Sequence, residues 1–305
     1  MIIYTASTNL HLFQILIISS NKYIKSILII SNKLKESKYL ALLDKNILII
    51  EEEFLLYNSF WTSILGRDKI IYKKYINFLK VAKEIYICNP LHSISNYLYN
   101  NSEAKYFMLD DGLSCLNIFP EKNNIKFKIK YFFKNIIRKI IYHVKNINIL
   151  TASLYLDYYK TDNIKFISLV PYLHKNNTIP LSFYYNQKVE NTFKELDFKY
   201  NKSVLFLSYY TDKKRINNLN NRFVLLGHPR IDYSFTDKEI IQGKLSELII
   251  RYNNTYVESS SLILVFLFWK QVIDNNNKLY VLNLNSEIKN LIKNEKTIIE
   301  CILKD

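Results

Sequence analysis

The hydrophobic positions of the chain follow two patterns that alternate along it. Short continuous apolar runs are separated by stretches such as residues 70–83, in which apolar residues recur every three or four positions. A continuous apolar run of this length is typical of a strand buried on both faces, as in a parallel sheet. The first series of such runs covers residues 2–4, 26–30, 46–50, 84–88 and 106–109. The alternation predicts a doubly wound α/β architecture.

A second series of strand-like runs occurs later in the chain. Between the two series lies the segment 171–202, which is rich in Asn, Tyr and Lys and contains Pro180. We therefore predict two Rossmann-like domains, residues 1–190 and residues 191–305, with a cleft between them. The strand-like runs of the second domain are residues 203–207, 223–226, 255–257 and 278–282.

Charge is the feature of the composition that changes this picture. The 305 residues include 42 Lys and Arg against 27 Asp and Glu, a formal net charge of +15. A field of this sign favours an anionic partner: nucleic acid, an anionic membrane surface, or nucleotides and anionic sugars. The basic residues are spread along the chain and no recognised nucleic-acid-binding motif appears, so a basic nucleic-acid-binding protein is the weaker alternative.

The cysteines and the hydropathy profile bear on the expected compartment. Cys88, Cys115 and Cys301 are far apart and show no CxxC spacing, so the sequence supports neither a zinc site nor a disulfide framework. The N-terminal residues lack the basic region and small-residue cleavage site of a signal peptide. No stretch reaches the roughly 18 uncharged apolar residues of a membrane span. We expect a cytoplasmic protein.

One helical pattern stands apart because it is both amphipathic and strongly basic. Apolar residues recur at helical spacing through residues 129–145, and lysines and arginines such as Lys134, Arg138 and Lys139 crowd the same stretch. Such a helix either packs on a sheet with a solvated basic face or lies on an anionic membrane surface. The second alternative predicts peripheral association with the inner membrane.

Two of the four glycines follow strand-like runs and adjoin candidate chemistry. The first, Gly112, closes the sequence Asp110-Asp111-Gly112. Glycine is needed where φ is positive or where backbone approaches a ligand, and in open α/β sheets ligands bind past the carboxyl ends of strands. The paired carboxylates predict a general base, although an ordinary acidic turn is the alternative. Two aspartates alone make a poor cation site, so no metal is predicted.

The second glycine opens the sequence Gly227-His228-Pro229-Arg230. Pro229 restricts His228 to extended geometry, and Arg230 adds a charge suited to a phosphate. The turn therefore predicts an imidazole and a guanidinium at a strand end, against the alternative of a structural histidine.

A third candidate, Glu258-Ser259-Ser260-Ser261, precedes the apolar run 262–269. Serines in this position cap helices, and a helix N-terminus with free N–H groups also binds phosphate. Each motif alone has a structural explanation. Together they supply a base, an acid and an anion site, which favours a catalytic interpretation.

The ordered motifs resemble those of bacterial sialyltransferases of glycosyltransferase families 52, 80 and 38. These share an acidic pair followed by Gly, a His-Pro motif, and a later Ser-Ser or Ser-Thr pair. The opening sequence, with its Ser/Thr-containing turn and Gln14 in the following helical pattern, is most similar to family 52, the lipooligosaccharide sialyltransferases. The motifs span about half of the chain, and the triple serine leaves the register of the phosphate-binding pair open by one.

The resemblance implies a GT-B fold, CMP-sialic acid as the donor substrate, inversion at the anomeric carbon, and no cofactor or essential metal. It also implies a galactose-terminated cell-surface glycan as the acceptor, such as lipooligosaccharide. The N-terminal domain is then the acceptor side and the C-terminal domain binds the nucleotide sugar. A GT-B glycosyltransferase with another nucleotide sugar stays an alternative, and a homodimer stays open.

The resemblance also assigns roles to residues. Asp111 is the general base with Asp110 as its partner, and His228 is the general acid or phosphate stabiliser. Glu247 corresponds to a residue that holds the ribose. The remaining donor-binding residues are Gly227, Pro229, Arg230, Ser259, Ser260 and Ser261.

Overall fold

The computed structural model describes residues 1–54, 71–89, 92–111, 164–173, 178–196, 198–207, 216–217, 223–227, 232–241, 245–258, 261–273, 276–282, 289, 292–293 and 296–301. The chain divides into two compact units. The first unit consists of Met1–Glu36 and Leu43–Tyr184, and the second of Ser37–Leu42 and Tyr185–Asp305.

The first unit is built on a parallel sheet of the order β3-β2-β1-β4-β5-β6-β7. The strand order reverses between β1 and β4, which is the topological switch point where open α/β sheets bind ligands. Its described elements are β1 (Ile2–Ala6), α1 (Asn9–Ser19), β2 (Ser26–Ser31), β3 (Ile47–Glu52), α2 (Ile76–Leu79), β4 (Glu84–Ile87), α3 (Ser93–Asn100), β5 (Lys105–Met108), β6 (Ile164–Ser168) and β7 (Thr178–Pro180).

The sequence pattern explains why the centre of the first unit folds in this way. Every residue of β1 and of β2 is buried, as a continuous apolar run predicts for a central parallel strand. Helix α1 is mostly apolar, with the polar His11 and Gln14 among its apolar residues, and is buried from Leu10 to its end. Thr8 starts this helix as its N-cap, because its hydroxyl accepts the backbone N–H of His11.

The second unit repeats the same strand order in a second parallel sheet, β10-β9-β8-β11-β12-β13. Its core includes the fully buried Trp269, whose indole N–H donates to the carbonyl of Glu247 at 2.7 Å. The described elements are α4 (Gln187–Lys194), β8 (Ser203–Phe206), β9 (Phe223–Leu226), β10 (Ile240–Ile241), α5 (Ser246–Tyr252), β11 (Thr255–Glu258), α6 (Leu262–Val272), β12 (Leu279–Leu282) and β13 (Ile298–Cys301).

Each strand-like run of the sequence is a strand, and the predicted α/β class with two parallel sheets is confirmed. The change of unit falls between Tyr184 and Tyr185, whereas the expected boundary lay near residue 190. The sequence pattern missed β6, β7, β10 and β13. It also did not predict that Ser37–Leu42 belongs to the second unit.

The short segment Ser37–Leu42 is held in the second unit by a buried tyrosine. Tyr39 is fully buried, and its hydroxyl donates to Glu247 Oε2 at 2.8 Å. An aromatic side chain with a satisfied hydroxyl is a strong anchor, since it buries a large apolar area without an unpaired polar group.

None of the helices in the described part of the chain has the length and apolar character needed to span a bilayer. The basic amphipathic pattern of residues 129–145 lies outside the described residues.

Candidate active site

A cluster of polar side chains and backbone groups lies at the carboxyl ends of the four adjacent strands β1, β4, β5 and β6. The chain segments that follow these strands contribute Ser7 and Thr8, Asn89, Asp110 and Asp111, and Leu169, respectively. The predicted acidic pair is therefore beside the switch point, where a ligand of an open α/β sheet is expected.

Asp110 is fully buried, and hydrogen bonds hold both its carboxylate and its backbone. Its Oδ2 accepts the backbone N–H of Leu169 at 3.1 Å and the hydroxyl of Ser168 at 3.3 Å. Its backbone N–H donates to Gln14 Oε1 at 2.9 Å, and its carbonyl accepts Gln14 Nε2 at 2.7 Å. Asp110 thus ties β5 to β6 and to α1, and its burial disfavours direct proton transfer from an acceptor sugar.

Asp111, in contrast, keeps part of its side chain in contact with solvent, with a relative exposure of 20%. Its Oδ2 accepts Asn89 Nδ2 at 2.8 Å, and its Oδ1 lies 3.3 Å from His11 Nε2. The carboxylate is thus oriented by the hydrogen bond from Asn89, lies beside His11, and remains accessible, which is the arrangement that a general base needs.

The tautomer of His11 follows from its other nitrogen. Nδ1 lies 2.9 Å from Thr8 Oγ1 and 3.3 Å from Ser7 Oγ, and the backbone N–H of Ser7 donates to it at 3.4 Å. Because a backbone N–H only donates, Nδ1 is an acceptor and the imidazole proton of a neutral ring is on Nε2. That nitrogen lies 3.3 Å from Asp111 Oδ1 without a hydrogen bond between them, so the fully buried His11 acts on the partly exposed carboxylate through the positive end of its N–H dipole.

Cys88 and His92 lie next to this cluster but do not form a nucleophilic pair. Their Sγ and Nδ1 atoms are 3.6 Å apart. Burial raises the pKa of Cys88 to about 12, against the opposing effect of hydrogen bonds from Thr5 and Ser7. Burial, with a further contribution from His11, lowers the pKa of His92 to about 4. A neutral thiol beside a neutral imidazole lacks the thiolate that a cysteine nucleophile requires.

In the second unit, two predicted donor-binding residues lie at element ends. Gly227 follows β9, and its N–H donates to the carbonyl of Ile241 at 3.0 Å. Ser261 is at the N-cap position of α6 without a side-chain capping bond, and the first turn of α6 has no acidic residue. The other predicted residues, His228, Pro229, Arg230, Ser259 and Ser260, lie outside the described residues, as does Gly112.

Glu247, the predicted ribose contact, is buried inside the second unit. Its Oε2 accepts the hydroxyl of Tyr39 at 2.8 Å and that of Ser246 at 3.1 Å. Burial raises the pKa of this carboxyl, although these hydrogen bonds oppose the shift. Its contacts give Glu247 a structural role in holding Ser37–Leu42.

We expect the substitution Glu247→Gln to raise Tm at neutral pH by roughly 2–4 °C. The raised pKa means that the folded state binds the proton more tightly than the unfolded state. The stability from this group is therefore fully present below its ordinary pKa of 4.5 and is lost as pH rises through the folded value. Glutamine keeps an acceptor for Tyr39 and removes the ionisation.

Tm of both proteins from pH 4 to pH 8 tests this, and the advantage of the variant should grow with pH. A fall in donor affinity without any gain in Tm contradicts the structural role and favours a contact with the donor.

Sequence reasoning missed two residues of the cluster, His11 and Asn89. The signals for them were local: Thr8 precedes His11 by three positions, as an N-cap precedes the first turn, and Asn89 directly follows a strand-like run. Neither signal indicates that both side chains reach Asp111.

Within the described residues, no group of three or more His, Cys, Asp or Glu side chains is arranged to hold a metal ion.

No protein-family model and no curated protein matches the chain. Among solved structures, the chain is similar to the glycotransferase of kitacinnamycin, with 10% sequence identity, a TM-score of 0.51, and coverage of 99% of this chain and 86% of that one. Two further matches are a sialyltransferase from Photobacterium damsela (14% identity, 99% and 81% coverage, TM-score 0.42) and an E. coli heptosyltransferase with ADP-2-deoxy-2-fluoro heptose (8% identity, 98% and 92% coverage, TM-score 0.40). With its two parallel sheets, the chain has the predicted GT-B type α/β fold with two Rossmann-like units.

Proposed function

We propose that the protein is an inverting glycosyltransferase in which Asp111 is the general base. The observation that carries the proposal is the contrast within the acidic pair. Asp110 is fully buried and accepts hydrogen bonds from β6 and the residue after it, whereas Asp111 is accessible, is oriented by Asn89 and lies beside His11. The fold is compatible with this activity, and the carboxyl ends of β4 and β5 are where such chemistry is expected.

In the proposed reaction Asp111 takes the proton of an acceptor hydroxyl, and the hydroxyl oxygen attacks the anomeric carbon of the donor. The bond from that carbon to the phosphate oxygen breaks, and the nucleotide leaves with the electron pair. His228 donates a hydrogen bond or a proton to the departing phosphate, where charge develops in the transition state. Arg230, Ser260 and Ser261 with the N-terminus of α6 complete the anion site.

For the donor we propose CMP-sialic acid, and for the acceptor a galactose-terminated glycan or glycolipid. The order of the three motifs, Asp110-Asp111-Gly112, His228-Pro229 and Ser260-Ser261, supports this choice. The net charge of +15 suits a donor that carries both a phosphate and a carboxylate. We place the enzyme in the cytoplasm at the inner membrane, and we expect no metal requirement.

The test is incubation of the protein with a panel of nucleotide sugars and a lactose-type acceptor, with and without EDTA. We expect CMP release and a product that is heavier by one sialic acid, both insensitive to the chelator. Transfer from a different nucleotide sugar would support the glycosyltransferase activity and contradict CMP-sialic acid as the donor. Absence of transfer from every donor contradicts the proposed function, and metal-reversible inactivation by EDTA contradicts metal independence.

A further inference from the structure

The strands of the first sheet begin at the end of the sheet that is opposite to Asp111. Here the loops that precede β2, β4 and β5 lie side by side. The carbonyl of Lys25 accepts the N–H of Ile2, Lys83 N–H donates to the carbonyl of Met1, and Lys105 N–H donates to the carbonyl of Lys83. We call residues 21–25, 80–84 and 101–105 the strand-start edge.

Large apolar side chains project into water from the strand-start edge. Tyr23 is 82% exposed, Ile24 is 50% exposed and Val81 is 59% exposed. Phe183 is 78% exposed. It lies next to the same loops, since the carbonyl of the following residue, Tyr184, accepts a hydrogen bond from Asn21 Nδ2. Single exposed apolar residues are ordinary, but a group on adjoining loops marks an interaction surface.

The charge around these apolar tips is positive. The strand-start edge contains five lysines against two glutamates, a net charge of +3. Glu84 is paired with Lys22, which leaves Glu103 as the other acid. Four of the lysines are exposed and can face an anionic surface: Lys25, Lys80, Lys83 and Lys105.

We propose that the strand-start edge docks the protein on an anionic membrane surface. Aromatic and aliphatic tips among lysines suit the lipid–water interface, where the tips enter the acyl boundary and the ammonium groups meet anionic headgroups. Nucleic acid would use the lysines but leave Ile24 and Val81 in water, so the combination favours a membrane.

This docking deepens the proposed function and rests on it for its biological meaning, because it fixes where the acceptor can react. Asp111 is at the far end of the strands. A five-residue strand such as β1 is roughly 17 Å long at about 3.3 Å per residue. The docked enzyme thus acts on the outer sugars of a lipid-linked glycan and not on the sugar next to the lipid.

Co-sedimentation with vesicles of phosphatidylcholine, with and without phosphatidylglycerol, tests the charge contribution. We expect binding to the anionic vesicles alone, and a weakening of roughly tenfold to thirtyfold in the double variant Lys25→Gln/Lys83→Gln. The matched control is Lys33→Gln/Lys35→Gln, which removes two exposed lysines that follow β2 at the opposite edge. Equal weakening of both double variants contradicts the proposal.

Insertion is tested by a tryptophan at the apolar tip. Fluorescence of Tyr23→Trp should be quenched by brominated lipids, whereas Tyr172→Trp, at an exposed position after β6, should not be quenched beyond the parent protein. Equal quenching at both positions overturns the proposal. A second pair of results also overturns the proposal: Lys134→Gln/Arg138→Gln/Lys139→Gln no longer sediments with vesicles, while Lys25→Gln/Lys83→Gln sediments like the parent protein.

These measurements use no donor, so they separate docking from the proposed reaction. Lys25→Gln/Lys83→Gln should also keep its turnover on a soluble acceptor. If the protein sediments as predicted but transfers no sugar, the proposed reaction is refuted and the proposed docking is still supported.

Discussion

Replacement of Asp111 by Asn is expected to lower kcat at least about a hundredfold, the usual scale for the loss of a general base. Asparagine keeps the size of the side chain and an acceptor for one of the two neighbouring donors, but it cannot take a proton. Tm and donor affinity should change little, because Asp111 is partly exposed and asparagine has nearly the same shape. Steady-state kinetics with a saturating donor, together with thermal unfolding, measures both effects.

The matched control is the neighbouring substitution Asp110→Asn. The carboxylate of Asp110 accepts from Leu169 and Ser168 in a buried site, so this variant should lose roughly 1–3 kcal/mol of stability. Its folded fraction should keep kcat within a few-fold of the parent. The reverse pattern, with near-native turnover in Asp111→Asn and inactivity in a stable Asp110→Asn, assigns the base to Asp110.

Replacement of His11 by Leu is expected to lower kcat by about tenfold or more, because leucine removes the polar N–H group that lies beside the Asp111 carboxylate. His11 Nε2 lies 3.3 Å from Asp111 Oδ1, so its N–H dipole stabilises the carboxylate in this position. The loss should appear in kcat, while KM for the donor stays close to that of the parent. His11 is thus a positioning residue, buried behind the group that reacts.

Two amide variants separate this role from an effect on the turn. The amide of Gln reaches the place of Nε2, so His11→Gln should restore most of kcat. The amide of Asn reaches the place of Nδ1, so His11→Asn keeps a partner for Ser7 and Thr8 but loses Asp111. Rescue by Asn and not by Gln shows that His11 serves the start of α1 and leaves Asp111 unaffected.

The sequence predicts the strands that have continuous apolar runs and fails for those that do not. β1 and β2 are buried at every residue, and their runs are unmistakable. The first two residues of β6 are not buried, and β7 has three partly buried residues, one of them a proline. β7 is at the edge of the sheet and β6 is next to it. Strands in such positions need fewer apolar residues, so their sequences resemble loops.

The candidate site shows a similar division. The acidic pair after β5 is readable, because its position follows from a strand signal and a turn residue. Which carboxylate is accessible depends on Ser168 and Leu169, more than 50 positions later, which bind Asp110. The contact of His11 with Asp111 likewise joins chain segments that only the sheet order brings together.

The excursion of Ser37–Leu42 into the second unit has a consequence for synthesis on the ribosome. Tyr39 precedes its partner Glu247 by 208 positions, which is an interval of roughly 10–40 s at about 5–20 residues per second. During this interval Ser37–Leu42 cannot occupy its place in the second unit, because Glu247, the partner of Tyr39, has not yet been synthesised. A fragment that begins at Tyr185 lacks that tyrosine, so translation of the second unit alone cannot produce its complete core.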